Sequence, residues 1–101
     1  MNTQSRVFFQ RLNEVLDDQC GAICDIDGDD RHIELSLPSG QVFLLNFHGP
    51  TQQIWLSSPI SGAHHYVFVD EQWCSTRNQE PILDRLSAEL TQTLGQSVML
   101  T

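Results

Sequence analysis

The hydrophobic period changes twice along this chain, and the two changes leave few folds open. From about Thr3 to Gln19, Phe8, Leu12 and Val15, with Phe9 and Leu16, recur at spacings of three, four and seven, marking one apolar helical face. His32-Ile33-Glu34-Leu35-Ser36-Leu37 then alternates strictly, as a half-buried strand does. Pro38-Ser39-Gly40 turns the chain, and Gln41 to Phe47 reads as the returning strand of a hairpin. Gly49-Pro50 breaks the chain before a strand from Gln52 to Ser57, Pro59 to Gly62 turns it again, and His64 to Val69 alternates once more. Asp70-Glu71 is a tight turn into Gln72 to Ser75. Ala22 to Ile26 is predicted as a short first strand and Val98 to Leu100 as a last one. Helical period returns after Pro81, with Leu83, Leu86, Leu90 and Leu94 as its stripe. Pro81 suits the first helical position, Gly95 suits a left-handed C-cap, and Gly21 is expected to end the first helix.

The strand connections are too short for crossovers, so neighbouring strands run antiparallel. Each helix must bury its stripe against the sheet. The expected architecture is an α+β two-layer sandwich of five to seven antiparallel strands, with N- and C-terminal helices on one face. The other face is then left open to solvent. At 101 residues the chain is one domain, 1–101, near the commonest domain size.

Charge is distributed far less evenly than hydrophobicity. Glu14, Asp17, Asp18, Asp25, Asp27, Asp29, Asp30 and Glu34 are opposed only by Arg31, so the segment from Glu14 to Glu34 holds −7 of the formal −8. Like charges crowded together raise the energy of a compact state, and Asp17 and Asp18 in a last helical turn oppose the macrodipole as well. Neutralising Asp17 or Asp29, or adding divalent cations, is therefore expected to raise the melting temperature. Glu14, Asp17 and Asp18 share a helix face by their i, i+3, i+4 spacing. Asp25 and Asp27, two apart, share a strand face. Oxygen-only donors suit hard cations such as Mg²⁺, Ca²⁺, Mn²⁺, Fe²⁺ and Fe³⁺; a solvated acidic face is the plain alternative. Asp25 to Asp30 is not an EF-hand loop, because Asp30 and Ser36 stand where that loop needs Gly and a bidentate Glu.

Other chemistry finds less support. A pI near 4.6 repels phosphate, so nucleic acid is not expected as a partner. No apolar run approaches a membrane span. Cys20, Cys24 and Cys74 match no zinc or redox spacing and read as reduced packing residues, for which a reducing cytoplasm is the natural place. His64 and His65, adjacent on a strand, point to opposite faces and do not share one ion. Ser57, Ser58 and Ser61 lack the glycine-framed nucleophile turn, and no phosphate loop is present. Trp55 faces away from Ile54 and Leu56, which look core-directed, and an aromatic on an open sheet commonly anchors a partner. Trp73 is expected in the core.

Gln53-Ile54-Trp55-Leu56-Ser57-Ser58-Pro59, continued by Ser61-Gly62, Tyr66, Trp73 and Leu86-Ser87-Ala88-Glu89-Leu90, resembles the frataxin family, in particular its bacterial, CyaY-like branch. Asn46 and Pro50 stand at the family's distance before Trp55, and the order of elements is the family's. The resemblance implies a bacterial, cytoplasmic, non-enzymatic protein that binds iron (Fe²⁺ or Fe³⁺) weakly along an acidic ridge. It implies docking on the cysteine desulfurase and the scaffold protein of iron–sulfur cluster assembly, as iron-responsive regulator or iron donor, and a monomer at low iron. By position, Glu14, Asp17, Asp18, Asp25, Asp27, Asp29 and Asp30 are the ridge. Trp55, Asn46, Gln53, His48 and His65 match the partner-facing sheet surface. Asn13, Cys20, Gly21 and Ile23 stand where relatives carry acids, so the charge is moved onward to Asp25 through Asp30. Weak ferroxidase and storage activity, or a metal-independent adaptor role, are the alternatives.

Overall fold

A computed structural model describes residues 2–100. The helix α1 (Thr3–Cys20) opens the chain, followed by β1 (Asp25–Gly28), β2 (His32–Ser36), β3 (Val42–His48), β4 (Gln53–Ser58), β5 (Gly62–Val69), β6 (Gln72–Ser75) and the helix α2 (Ile82–Leu94). The six strands form one antiparallel sheet in chain order, a simple meander. The α+β sandwich read from the periods is the fold observed. Ile33, Leu35, Phe43, Leu45, Ile54, Leu56, Tyr66 and Trp73 from the strands meet Phe9, Leu12, Leu16, Ile82, Leu86 and Leu90 from the helices in one buried core.

Helix α1 starts where Asn2 accepts the Ser5 N–H, a side-chain N-cap. It ends at Cys20 with Gly21 as its cap, as expected, and that cap stays helical, with φ −61°. Glycine is needed there for space, because a Cβ would fall 2.4 Å from the Asp17 carbonyl oxygen. The backbone then makes one more turn, with Cys24 N–H donating to the Cys20 carbonyl. That turn consumes the residues predicted as strand from Ala22, so β1 begins only at Asp25. At Gly28 the sheet edge runs close under α1, and a Cβ would meet Asn13 Oδ1 at 2.9 Å.

Two expectations near the C-terminus also change. Pro81 is the cap residue before α2, in extended conformation, rather than its first helical residue. Gly95 does take the left-handed cap, with φ 69°. Val98 to Leu100 is not a strand. Val98 exchanges hydrogen bonds with Thr91 Oγ1, Leu100 N–H donates to Ser87 Oγ and Met99 N–H to Gln19 Oε1. The helices' side chains thus satisfy this backbone, and Val98 and Leu100 are buried in the core. Both helices lie on one side of the sheet, so among the described residues nothing forms a layer over the side chains pointing the other way.

Candidate functional site

The register decides which residues share the open face. Asp25 lies opposite Ser36 and Asp27 opposite Glu34; Glu34 is in turn opposite Leu44, and Leu44 opposite Ser57. A second row runs His32, Asn46, Trp55, His65. The face is acidic at its β1–β2 edge and aromatic and amide-lined at its centre.

At the edge, Asp27 and Glu34 are like charges directly across a strand pair, a destabilising arrangement. Among the described residues no salt bridge reaches Asp25, Asp27 or Glu34. In the sequence Glu34 figures only in the strand alternation and the charge count, not among the expected ridge acids. Register, which sequence does not display, makes it Asp27's partner.

The expected ridge acids divide into four settings. At 100° per residue, Asp17 falls on the same flank of α1 as Arg6 and Asn13, the flank that touches the β1–β2 turn. Glu14 and Asp18 are exposed and sit farther round the helix, away from the core. Asp25 and Asp27 are exposed on the face opposite the helices, with Ile26 between them turned inward. Asp29 and Asp30 are engaged by the protein itself. Asp29 accepts the N–H groups of Arg31 and His32 and meets His32 Nδ1, bonds that hold its carboxyl below the usual carboxylate range. Asp30 pairs with Arg6 at 3.5 Å. Among the described residues, no three His, Cys, Asp or Glu side chains converge as a metal site. An all-oxygen edge of this kind fits a hard cation held loosely by one or two carboxylates and water.

At the centre, Trp55 lies between two imidazoles. The His48 ring stacks on one side with centroids 3.9 Å apart, and His65 stacks with centroids 4.7 Å apart, both inclined by 16°. The indole N–H donates to Gln53 Oε1 at 2.9 Å, and His48 Nδ1 is 2.7 Å from Thr51 Oγ1. Asn46 is exposed beside Trp55. Four of the five expected partner-facing residues are thus one assembly, with Asn46 at its border. A depression of about 150 Å³ opens next to it, walled by Leu44, Trp55, Ser57, Ala63 and His65.

The sequence reading missed one polar group that is central to the fold. Glu89 is buried in α2 and accepts hydrogen bonds from Ser58 Oγ, from Ser61 Oγ at 2.7 Å and from Arg85. Its signal was an acid three residues after Leu86, on the helix's inner side. Ser61 Oγ is also 2.8 Å from His64 Nε2, but its hydroxyl proton goes to Glu89, so the group clamps the β4–β5 turn onto α2. His64 is held below its usual pKa by burial first, then by Arg85 and Arg77. The cysteines are free; burial pushes Cys20 up to about 12 and raises Cys24, as suits packing residues. No helix among the described residues is long and apolar enough to cross a membrane.

A frataxin-like domain model matches residues 2–96. The chain belongs to the frataxin family. Among curated relatives, it is 32% identical over 93 residues to a mitochondrial frataxin homologue of Schizosaccharomyces pombe, covering 86% of this chain and 59% of that one. It is 29% identical over 96 residues to the iron-sulfur cluster assembly protein CyaY of Paraburkholderia phymatum, covering 95% of this chain and 90% of that one. The chain spans about half the length of the mitochondrial relatives it matches. Among solved structures, trimeric frataxin from Saccharomyces cerevisiae, complexed with ferrous, superposes with a TM-score of 0.83 at 24% identity, over 95% of this chain and 89% of that one. This last likeness is one of frataxin fold.

Proposed function

We propose that this frataxin-family protein is a non-enzymatic, iron-binding component of iron–sulfur cluster assembly. It docks on the cysteine desulfurase and scaffold, as iron-dependent regulator or iron donor. The observation that carries the reading is a single sheet face that, among the described residues, is uncovered and joins an acidic edge without salt bridges to a prebuilt aromatic centre. The name of the CyaY relative and the ferrous complex of the yeast relative support it. In this reading Asp17, Asp25, Asp27 and Glu34 hold iron with water filling the remaining positions, and Glu14 and Asp18 add to the field. Binding is weak because exposed ligands are screened and not converged. The same carboxylates attract a basic surface of the desulfurase, so iron and partner compete for them. Trp55, His48, His65, Gln53 and Asn46 form the contact at the centre, and the protein works in the bacterial cytoplasm as a monomer at low iron.

The test is an anaerobic Fe²⁺ titration of ¹⁵N-labelled protein, paired with desulfurase turnover with and without the protein. Selective broadening of amides in residues 14–34, together with an iron-dependent change in turnover, is the expected result. An unchanged spectrum at millimolar iron overturns the metal role. The lack of a converging three-donor group among the described residues favours a second reading, a metal-independent adaptor. Under it, reversing the charge of Asp17 and Asp27 abolishes docking while iron leaves both spectrum and turnover unchanged.

A further inference from the structure

We infer that the cavity between α1 and the first turn of α2 is a small-molecule site whose ligand is an amphipath, an apolar body carrying an alkylammonium head group. The cavity is bordered by α1, α2 and the β5–β6 turn, on the helix side of the sheet. It is therefore separate from Trp55 and from the acidic β1–β2 edge, and the site does not depend on the docking reading above.

Size and lining suit a small molecule. The cavity measures about 590 Å³, inside the roughly 300–1,000 Å³ range of small-molecule sites. Val7, Phe8 and Leu12 of α1, Leu83 of α2, and Phe68 and Trp73 of the sheet make its walls mostly apolar. Val7 is 46% exposed, and Phe8, Phe68 and Leu83 are half-buried, so the core leaves part of this apolar area in water. Covering it with an apolar ligand body is favourable.

The head group follows from the rings and the charges. The Trp73 centroid lies 6.4 Å from that of Phe8 and 5.3 Å from that of Phe68, so the aromatic wall is continuous. Grouped aromatic rings attract cations, and alkylammonium groups are commonly recognised in this way. Glu71 and Asp84 bring two carboxylates to the lining, against the single guanidinium of Arg11. Among the described residues none of these three is in a salt bridge. An ammonium head is attracted by both acids, whereas a carboxylate head is repelled by both and attracted only by Arg11. A second copy of this chain is not the occupant, because each copy carries a formal −8 and the two repel.

The turn that carries Glu71 supports the same assignment. Asp70 and Glu71 both take left-handed conformations, with φ 50° and 66°. Two-residue hairpin turns of this kind ordinarily use Asn-Gly, and a long side chain at the second position is strained. Glu71 therefore keeps a carboxylate on the cavity at a conformational cost that the turn itself does not require.

The test is a titration of ¹⁵N-labelled protein with decyltrimethylammonium and, separately, with decanoate, each below its micelle concentration. Salt is held at about 150 mM NaCl, which screens general surface attraction beyond about 8 Å. The reporter is the Trp73 indole N–H, which has no hydrogen-bond partner among the described residues; the Trp55 indole N–H, on the other side of the sheet, is the control. Decyltrimethylammonium is expected to shift Trp73 and the Glu71 and Leu83 amides saturably, leave Trp55 unmoved, and bind roughly tenfold tighter than decanoate. Glu71→Gln with Asp84→Asn should remove most of that preference. Arg11→Gln, at an exposed position, should tighten the cation several-fold, and keeps the test intact should the double variant not fold. Equal affinities for the two head groups in the wild type overturn the inference, as does the lack of a saturable shift at Trp73. Shifts confined to residues 14–34 assign the cation to attraction by the acidic segment and also overturn it. Each of these outcomes leaves the docking reading as it stands.

Discussion

At the β1–β2 edge Asp27 faces Glu34 with no salt bridge to either among the described residues, whereas at the centre of the same face Trp55 lies between two imidazoles and donates its N–H to Gln53. Both regions are built from polar or amphipathic side chains on an uncovered sheet. One is held in place by its neighbours; the other is kept apart by repulsion. A surface whose groups repel gains free energy when a cation or basic partner arrives, so its binding is electrostatic and salt-dependent. A surface whose groups are already locked loses little entropy on contact, so its contribution is shape and burial. The two regions divide attraction from fit.

Removing the central ring should have the largest effect. Trp55→Ala deletes both stacks and a wall of the depression. It should cost about 2 kcal/mol in urea unfolding, given about 0.5–1.5 kcal/mol per aromatic pair beyond burial. It should also weaken docking on the desulfurase–scaffold complex by more than tenfold. A docking loss without a stability loss would show that the stacks do not hold the ring. His65→Ala removes one stack and should cost about 1 kcal/mol by the same measurement.

The acidic edge should respond in the opposite sense. Asp27→Asn or Glu34→Gln relieves a cross-strand repulsion and should raise stability by about 0.2–1 kcal/mol, a gain that shrinks in 1 M NaCl. A loss in thermal melts would mean the two carboxylates are engaged by something other than each other.

Asp29 sharpens the contrast within the acidic segment itself. Neutralisation there was expected to stabilise, on charge counting alone. Because Asp29 accepts two backbone N–H groups, Asp29→Ala should instead lower the melting temperature near neutral pH. Its carboxyl is lowered from 3.8, so its stabilisation is present above the unfolded value and is lost as pH falls through the folded one. Melting curves of variant and wild type should therefore converge as pH drops below about 3.8. A constant difference down to pH 2 would remove the charge from the explanation.

Much of this molecule was legible because hydrophobic period is a local property. Phe9, Leu12 and Leu16 had to share a helix face, and Ile33 and Leu35, or Ile54 and Leu56, had to share a strand face, whatever lay around them. Trp55 could be placed outward from its two neighbours alone. The errors fall where backbone hydrogen bonds are completed by something other than a neighbouring strand. Val98 to Leu100 reads as a strand, but Thr91, Ser87 and Gln19 take its backbone groups first. Ala22 to Cys24 carries strand-compatible residues, but the chain makes one more turn there after the helix ends, its N–H groups donating to the Cys20 carbonyl.

The functional residues divide in the same way. Sequence alone determined that the segment from Glu14 to Glu34 carries nearly all of the net charge, and that the Trp55 side chain faces away from the core, because composition and alternation are written residue by residue. Only the tertiary structure decided that Glu34 opposes Asp27, that Asp29 serves its own turn, that His48 and His65 enclose Trp55, and that Glu89 anchors the β4–β5 turn. Those facts depend on strand register and on helix-to-sheet approach. Both are set by how a whole core packs, and no local pattern contains that information.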